Sequence, residues 1–558
     1  MSQSTSQLTL GHPIFGSSEL ASLASSQGDI AAWQQLLTKE NVASEINKVS
    51  GEFAVGLTSA DGNAYLAVDR FAVCTLCYRV DQGELRFASR ADDLSDAATE
   101  IDPQAIFDYL YFHVIPSPRT VFKGIYRLPP GHFAVFEKGV LTVKPYWVPV
   151  FPPSTEQPFH QLREQFLRLL EGAVAGQLDG SKPACFLSGG TDSSTVAGMI
   201  GAVSGQRAST YSIGFEAEGY DEMEYARIAS RHFKTDHHEY YVTPDDLVQS
   251  VAEVAQYYDQ PFGNSSALPS YYCARMAKAD GVTRILAGDG GDELFGGNSR
   301  YAKQKLFNYY SFFPSALRAR LFEPLFLRSG FGRLPLASKG ASYIEQASTP
   351  MPDRNQMYNM LHRLGIDQIL TPDFLNGINQ RDPLDQQRAV WRAAKTNSET
   401  DRQLAFDWRY TLAECDLPKV IGTTGKAGVE VGFPMLDTRL LDFSMQLPVD
   451  YKLKGQRLRW FFKEALRGFL PDEILTKKKQ GFGLPFGVWT TKHKPLRDLA
   501  EDSVRGLIDR GILRKEFVDT LFNKHLHTHP GYYGEMIWIS MMLEQWLRGE
   551  QAKRLTCG

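Results

Sequence analysis

The stretch Ser188-Gly189-Gly190-Thr191-Asp192-Ser193-Ser194 concentrates groups that can hold a phosphate. A short apolar run, Ala184 to Leu187, precedes it. Val196, Met199, Ile200 and Val203 follow at helical spacing. The order reads as strand, tight turn, helix. Two glycines let the backbone approach an anion closely. The first turn of the helix offers unpaired N–H groups to that anion, and the hydroxyls of Ser188, Ser193 and Ser194 add donors. Asp192 alone would repel a phosphate, so its place makes sense as a ligand for a divalent cation that bridges phosphates. No Gly-Lys-Ser/Thr follows, so this is not the common P-loop.

A second stretch, Arg284 to Tyr301, again ends a strand in an acidic, glycine-rich turn. Asp289, Asp292 and Glu293 lie within it. Crowded carboxylates are usually solvated surface. Two such turns at the carboxyl edge of one parallel sheet fit a shared cation better.

The elements that must position these turns are legible around them. Strands are expected at 184–187, 209–215, 237–242 and 283–288, with helices between, which predicts an α/β parallel sheet. An amphipathic helix is expected at 160–178. Upstream, residues 51–90 and 127–149 alternate apolar runs with turns such as Asp61-Gly62-Asn63, which reads as hairpins. The Pro-rich 148–158 reads as a linker, giving domains at 1–150 and 159–550. Residues 300–550 read as mostly helical. Sixty Lys and Arg against 64 Asp and Glu leave a charge of −4 over 558 residues, which argues against nucleic acid as partner. Six scattered cysteines make no disulfide framework. Cys74 and Cys77 sit in a half-buried strand pattern, not in a metal-ribbon spacing. No basic leader precedes Lys39, and no apolar run reaches about 18 residues. The expected location is the cytoplasm, with no membrane span.

Seven motifs stand in one order: SGGTDSS (188–194), SIGF (212–215), HHE (237–239), DQPFGNSSALPSY (259–271), AGDGGDELFGG (287–297), VEVGFPMLD (429–437) and KQGFG (479–483). In this order they resemble the asparagine synthetase family, from about residue 50 to 545. β-Lactam synthetases and lasso-peptide cyclases are similar enzymes. The resemblance implies a β-rich domain like an Ntn hydrolase, followed by a PP-loop parallel-sheet synthetase domain with a helical C-terminal part. It implies a ligase that uses ATP and Mg2+ to adenylate a carboxylate, and then passes the acyl group to an amine or ammonia. It further implies that Ser188, Gly189, Gly190, Asp192, Ser193 and Ser194 bind the pyrophosphate of ATP. Leu187, Ile213, Ala287 and Gly288 match positions around the adenosine, and Asp192 and Asp292 match magnesium ligands. Lys479 matches a lysine that neutralises charge at the reacting acyl-phosphate. Asp289, Glu414 and Asp416 fall near positions that handle the nucleophile. Substrates are expected to be a small-molecule or peptide carboxylate and an amine, and a homodimer is an open expectation.

The sequence also departs from that pattern. A class II glutaminase uses an N-terminal cysteine, whereas this chain reads Met1-Ser2-Gln3 and its first cysteine is Cys74. The N-terminal half is therefore expected to be a shortened glutaminase domain without glutaminase activity. Relatives often carry Asp-Arg where Ile421-Gly422 stands. With three glycines nearby, 421–428 is expected to form a loop, and an acceptor other than free aspartate is expected. Lys477 and Lys478 are expected to be solvated. The alternatives are an ammonia-dependent asparagine synthetase, a tRNA-modifying PP-loop enzyme, or a scaffold without catalysis.

Overall fold

The computed structural model describes residues 7–557 apart from 60, 154–156, 218, 330–333, 335–336 and 478–482. In the N-terminal half, β1 (Gln7–Gly11), β2 (Phe53–Thr58), β3 (Ala64–Val68), β4 (Cys77–Asp81), β5 (Glu84–Ala88), β6 (Tyr126–Arg127), β7 (His132–Glu137) and β8 (Val140–Pro145) form two antiparallel sheets. Their orders are β1-β2-β3-β7-β8 and β5-β4-β6. The β2–β3 hairpin turns at Gly62, whose φ is 82°, and the Asp61 carboxylate accepts the Asn63 N–H at 3.2 Å. Cys74 lies outside the strands; only Cys77 begins one.

Two short helices, Ser18–Gln27 and Asp29–Leu37, cover one face of the larger sheet. Trp33 is fully buried there, with its ring 5.2 Å from that of Phe15 and 5.1 Å from that of Phe53. The other face meets the smaller sheet at Gly56. A Cβ there would lie 2.5 Å from the Phe87 ring, so only glycine lets the layers close.

The second half carries β9 (Ala184–Phe186), β10 (Ser209–Phe215), β11 (Asp236–Val242), β12 (Arg284–Leu286) and β13 (Glu430–Gly432). All pair in parallel, in the order β11-β10-β9-β12-β13. β13 is a strand that the sequence pattern did not reveal. The chain winds outward from β9 to β11 on one side and from β12 to β13 on the other. The winding reverses between β9 and β12, so the turns that follow these two strands diverge around a crevice at the carboxyl edge. Helix Phe159–Gln177 packs beneath, with Leu162, Phe166 and Leu170 inward.

A long helical run crosses above that crevice. Helix Glu399–Asp407 passes through a π-helical segment, Trp408–Asp416, into helix Leu417–Ala427. Pro418 lacks an N–H and its ring crowds the carbonyl four residues back, so regular α-helical bonding cannot pass through it. The wider turn directly upstream accommodates that break. The expected loop at 421–428 is thus corrected: the segment is helical to Ala427 and ends at Gly428, with φ 75°. Its glycines serve close packing. A Cβ at Gly422 would lie 2.3 Å from the Tyr258 ring, and one at Gly425 would lie 3.0 Å from the Tyr257 hydroxyl.

The two halves share one core. Tyr109, Ile115 and Phe122 cluster with Ile537, Trp538 and Trp546 of the closing helix Pro530–Cys557. The Tyr109 hydroxyl donates to the Ile539 carbonyl at 2.8 Å.

Candidate active site

Helix Thr191–Ser204 starts directly after the turn that follows β9. Its N-cap is Gly190, and no side chain caps it. The N–H groups of its first turn are therefore not taken by a cap and face the crevice. Gly189 has φ 68°, and a Cβ on it would lie 2.5 Å from the Ala226 backbone nitrogen. Ser188 is held by Ser193: its N–H donates to the Ser193 Oγ at 3.1 Å, and the two hydroxyls are 3.0 Å apart. The Ser194 Oγ is buried without a hydrogen-bond partner among the described residues.

The turn after β12 comes from the neighbouring strand, which explains how two distant sequences meet. A Cβ on Gly291 would lie 2.0 Å from Asp192 Oδ1, and one on Gly297 would lie 1.7 Å from Asp292 Oδ1. The glycines thus make the room in which both carboxylates sit. Trp408 donates from Nε1 to the Glu293 carbonyl at 2.9 Å and braces this turn from the π-helical segment.

Asp192 and Asp292 converge on the guanidinium of Arg459, which the sequence analysis did not single out. Its Nη1 lies 2.7 Å from Asp192 Oδ2, 2.7 Å from Asp292 Oδ1 and 2.8 Å from Thr191 Oγ1. Its Nη2 pairs with Asp192 Oδ1. Burial opposes charge on Arg459, but Asp192 and Asp292 outweigh it and raise its pKa. A cation already sits between the two expected magnesium ligands. Hard carboxylate oxygens from two turns, converging on one cation, fit a divalent ion.

A cavity of about 980 Å3 opens over these groups. Leu187, Ser188, Gly190, Asp192, Ser193, Ile213, Gly288, Asp289, Asp292 and Asp416 all line it. Gly189, Ser194 and Ala287 lie behind that surface as support. Lys478 and Lys479 lie outside the described residues. Lys477 lines the cavity and corrects an expectation. It is not solvated: its side chain is 8% exposed and its Nζ sits 3.0 Å from Glu222 Oε1.

Lys419 is a further residue without a sequence signal. Its Nζ lies 3.4 Å from Asp289 Oδ1 and 3.3 Å from Asp416 Oδ1. Burial disfavours its charge, yet Asp416 and Asp289 reverse that and raise its pKa. Burial pushes the Asp289 carboxyl up, and Lys419 pulls it partly back. The cavity therefore has an acidic–basic–acidic row on one wall.

Glu414 stands apart from that row. Its carboxylate accepts from Ser117 Oγ at 2.7 Å and Arg127 Nη2 at 2.6 Å, and it pairs with Arg409. With both arginines and Ser117 around it, Glu414 clamps the N-terminal half to the π-helical segment. It is not among the groups that face the cavity.

A parallel sheet with a phosphate-type turn and an acidic turn at its switch point defines a class of α/β proteins whose carboxyl-edge crevice is suited to an anionic ligand. Comparison with known proteins narrows this class. Residues 165–548 match the asparagine synthase family and residues 25–147 match the glutamine amidotransferase domain. The chain belongs to the asparagine synthase family. A glutamine-hydrolyzing asparagine synthetase 1 from Bacillus subtilis is 24% identical, covering 91% of this chain and 78% of that protein. A putative asparagine synthetase from Mycobacterium bovis is 26% identical, covering 80% and 68%. An amidase, chry2, from Gibberella zeae is 25% identical, covering 83% and 74%.

Proposed function

We propose that this chain is an ATP-dependent ligase that activates a carboxylate as its acyl-adenylate and joins it to an amine or ammonia. The observation that carries this reading is the meeting of Asp192 and Asp292 over the N-terminus of helix Thr191–Ser204. In this reading the N–H groups of residues 191–193 and the hydroxyls of Ser188 and Ser193 hold the leaving pyrophosphate. Asp192 and Asp292 would hold magnesium. When bound, that ion supplies charge neutralisation for the phosphates. A substrate carboxylate oxygen attacks the α-phosphorus and pyrophosphate departs. The amine nitrogen then attacks the acyl carbon, and AMP leaves with the bonding electrons. Asp289, held beside Lys419, takes the proton that the attacking nitrogen loses. Lys479 belongs to the same reading as a fixed charge near the acyl-phosphate.

We further propose that glutamine is not the ammonia source. The thiols of the N-terminal half, Cys74 and Cys77, are raised in pKa chiefly by burial, the opposite of an activated nucleophile. The substrate reading is an acceptor other than free aspartate, supported by Ile421-Gly422 where relatives carry Asp-Arg. Its competitor is an asparagine synthetase fed by ammonia, favoured by the names of the relatives. One assay tests all of these. Carboxylates, including aspartate, are offered with ATP, magnesium and either ammonium or glutamine. Pyrophosphate, AMP, ADP, glutamate and asparagine are then measured. AMP and pyrophosphate without glutamate are expected. ADP as product would refute the acyl-adenylate chemistry, glutamate release would refute the ammonia source, and asparagine would refute the substrate reading.

A further inference from the structure

Arg459 is built into its position. Its φ is 53°, a left-handed conformation that costs free energy in any residue with a side chain. Its N–H donates to the Lys452 carbonyl at 2.8 Å, and its guanidinium carbon lies 3.9 Å above the Phe462 ring. The residue is 3% exposed. Three of its contacts go to the two carboxylates that the proposed function gives to magnesium. Its Nε is buried with no hydrogen-bond partner among the described residues. The guanidinium is thus satisfied toward the carboxylates and unsatisfied on its other edge.

We propose that Arg459 is a place-holder cation: in the nucleotide-free protein it occupies the position between Asp192 and Asp292 and keeps a free divalent ion out. The inference rests on the reading of these carboxylates as magnesium ligands. Its physical basis is direct. A guanidinium within hydrogen-bond distance of both carboxylates occupies three of their oxygens, which a metal between them would use, and a second cation brought beside it is repelled. Only a nucleotide arriving with its own metal brings both a cation for the carboxylates and anionic oxygens for the released guanidinium. The metal site is therefore conditional on the nucleotide, and Arg459 is a positioning residue for both. Without it, two carboxylates packed within one small pocket would attract any divalent ion present.

The test is uptake of Mn2+ by the nucleotide-free full-length protein, read by electron paramagnetic resonance. Wild type is expected to leave the free-ion signal unchanged. Arg459→Ala is expected to bind Mn2+ tighter than wild type by on the order of ten-fold or more, and adding Asp192→Asn is expected to abolish that gain. Magnesium is expected to raise the melting temperature of Arg459→Ala but not of wild type. Arg459→Gln, which keeps hydrogen-bonding groups without charge, makes the same comparison if the alanine variant does not fold. Tight uptake by nucleotide-free wild type overturns the proposal. So does a folded Arg459 variant with no gain, while wild type still takes up Mn2+ with ATP through Asp192. Uptake with ATP that is indifferent to both Asp192→Asn and Asp292→Asn overturns the metal-site reading, and the place-holder with it.

Discussion

Asp192 stands out within seven contiguous residues, whereas its partner Arg459 lies more than 260 positions away in a run, RLRWFF, with no recognisable spacing. That contrast sets the limit of a linear reading. A turn that builds a site from neighbours announces itself; a charge delivered from another element does not. Lys419 was missed for the same reason, since a lone lysine in a helix reads as surface. Two expectations follow at this scale. Under the proposed function, Asp192→Asn should abolish most pyrophosphate formation, because it removes a charge assigned there to holding magnesium. Lys419→Met should lower stability by roughly 3 kcal/mol, because Asp289 and Asp416 lose the cation between them in a largely buried site; urea unfolding measures this. A third expectation concerns pH. Burial, and next the charge of Asp69, push the Glu52 carboxyl from 4.5 to about 7. The folded protein therefore binds this proton more readily than the unfolded chain, and stability falls as pH rises from about 4.5 to 7. Glu52→Gln should raise the melting temperature at pH 8 and change it little at pH 4. An equal shift at both values would remove Glu52 as the cause.

At the scale of elements, the strands β9, β10, β11 and β12 were legible as short runs holding apolar, β-branched or aromatic residues, with helical stretches between them. β13 was not, since Glu430-Val431-Gly432 holds a single apolar side chain and lies between Gly428 and Pro434, a setting that reads as loop. The helix Leu417–Ala427 shows propensity being overridden. Glycine costs about 1 kcal/mol in a helix interior, yet Gly422 and Gly425 sit there because Tyr258 and Tyr257 press against them. Thr423 and Thr424 also bond back to the carbonyls of Lys419 and Val420, at 2.8 Å each. The partners that decide the segment's structure are thus tyrosines some 160 positions upstream. Gly422→Ala should gain helix propensity and still destabilise by roughly 1–3 kcal/mol, since its methyl overlaps the Tyr258 ring. A stabilised variant would show that the tyrosine can move aside.

At the scale of the molecule, the N-terminal half and the synthetase half behave as one packed unit. Glu414 joins them through Arg127 and Ser117, and the core around Tyr109, Phe122, Trp538 and Trp546 runs through both. Glu414→Ala should cost roughly 3–5 kcal/mol, because two largely buried arginines lose their buried counter-charge. A fragment beginning at residue 159 should expose that shared core and lose cooperative unfolding, which calorimetry would show; a sharp transition close to that of the full chain would refute it. The composition of 148–158 signalled a linker, but nothing in the linear pattern signalled how much apolar surface crosses it.

That shared core has an evolutionary reach. Under the proposed function the amidotransferase half has no chemical use in supplying nitrogen, and deletion would then be the simplest change available to such a lineage. Here a truncation would strip the cover from Trp538, Trp546 and the closing helix. Selection can therefore erode the reactive residues of the first 150 positions one at a time while it preserves their apolar inventory. The surface that such a lineage no longer needs for chemistry becomes free to acquire other contacts, and its interior does not.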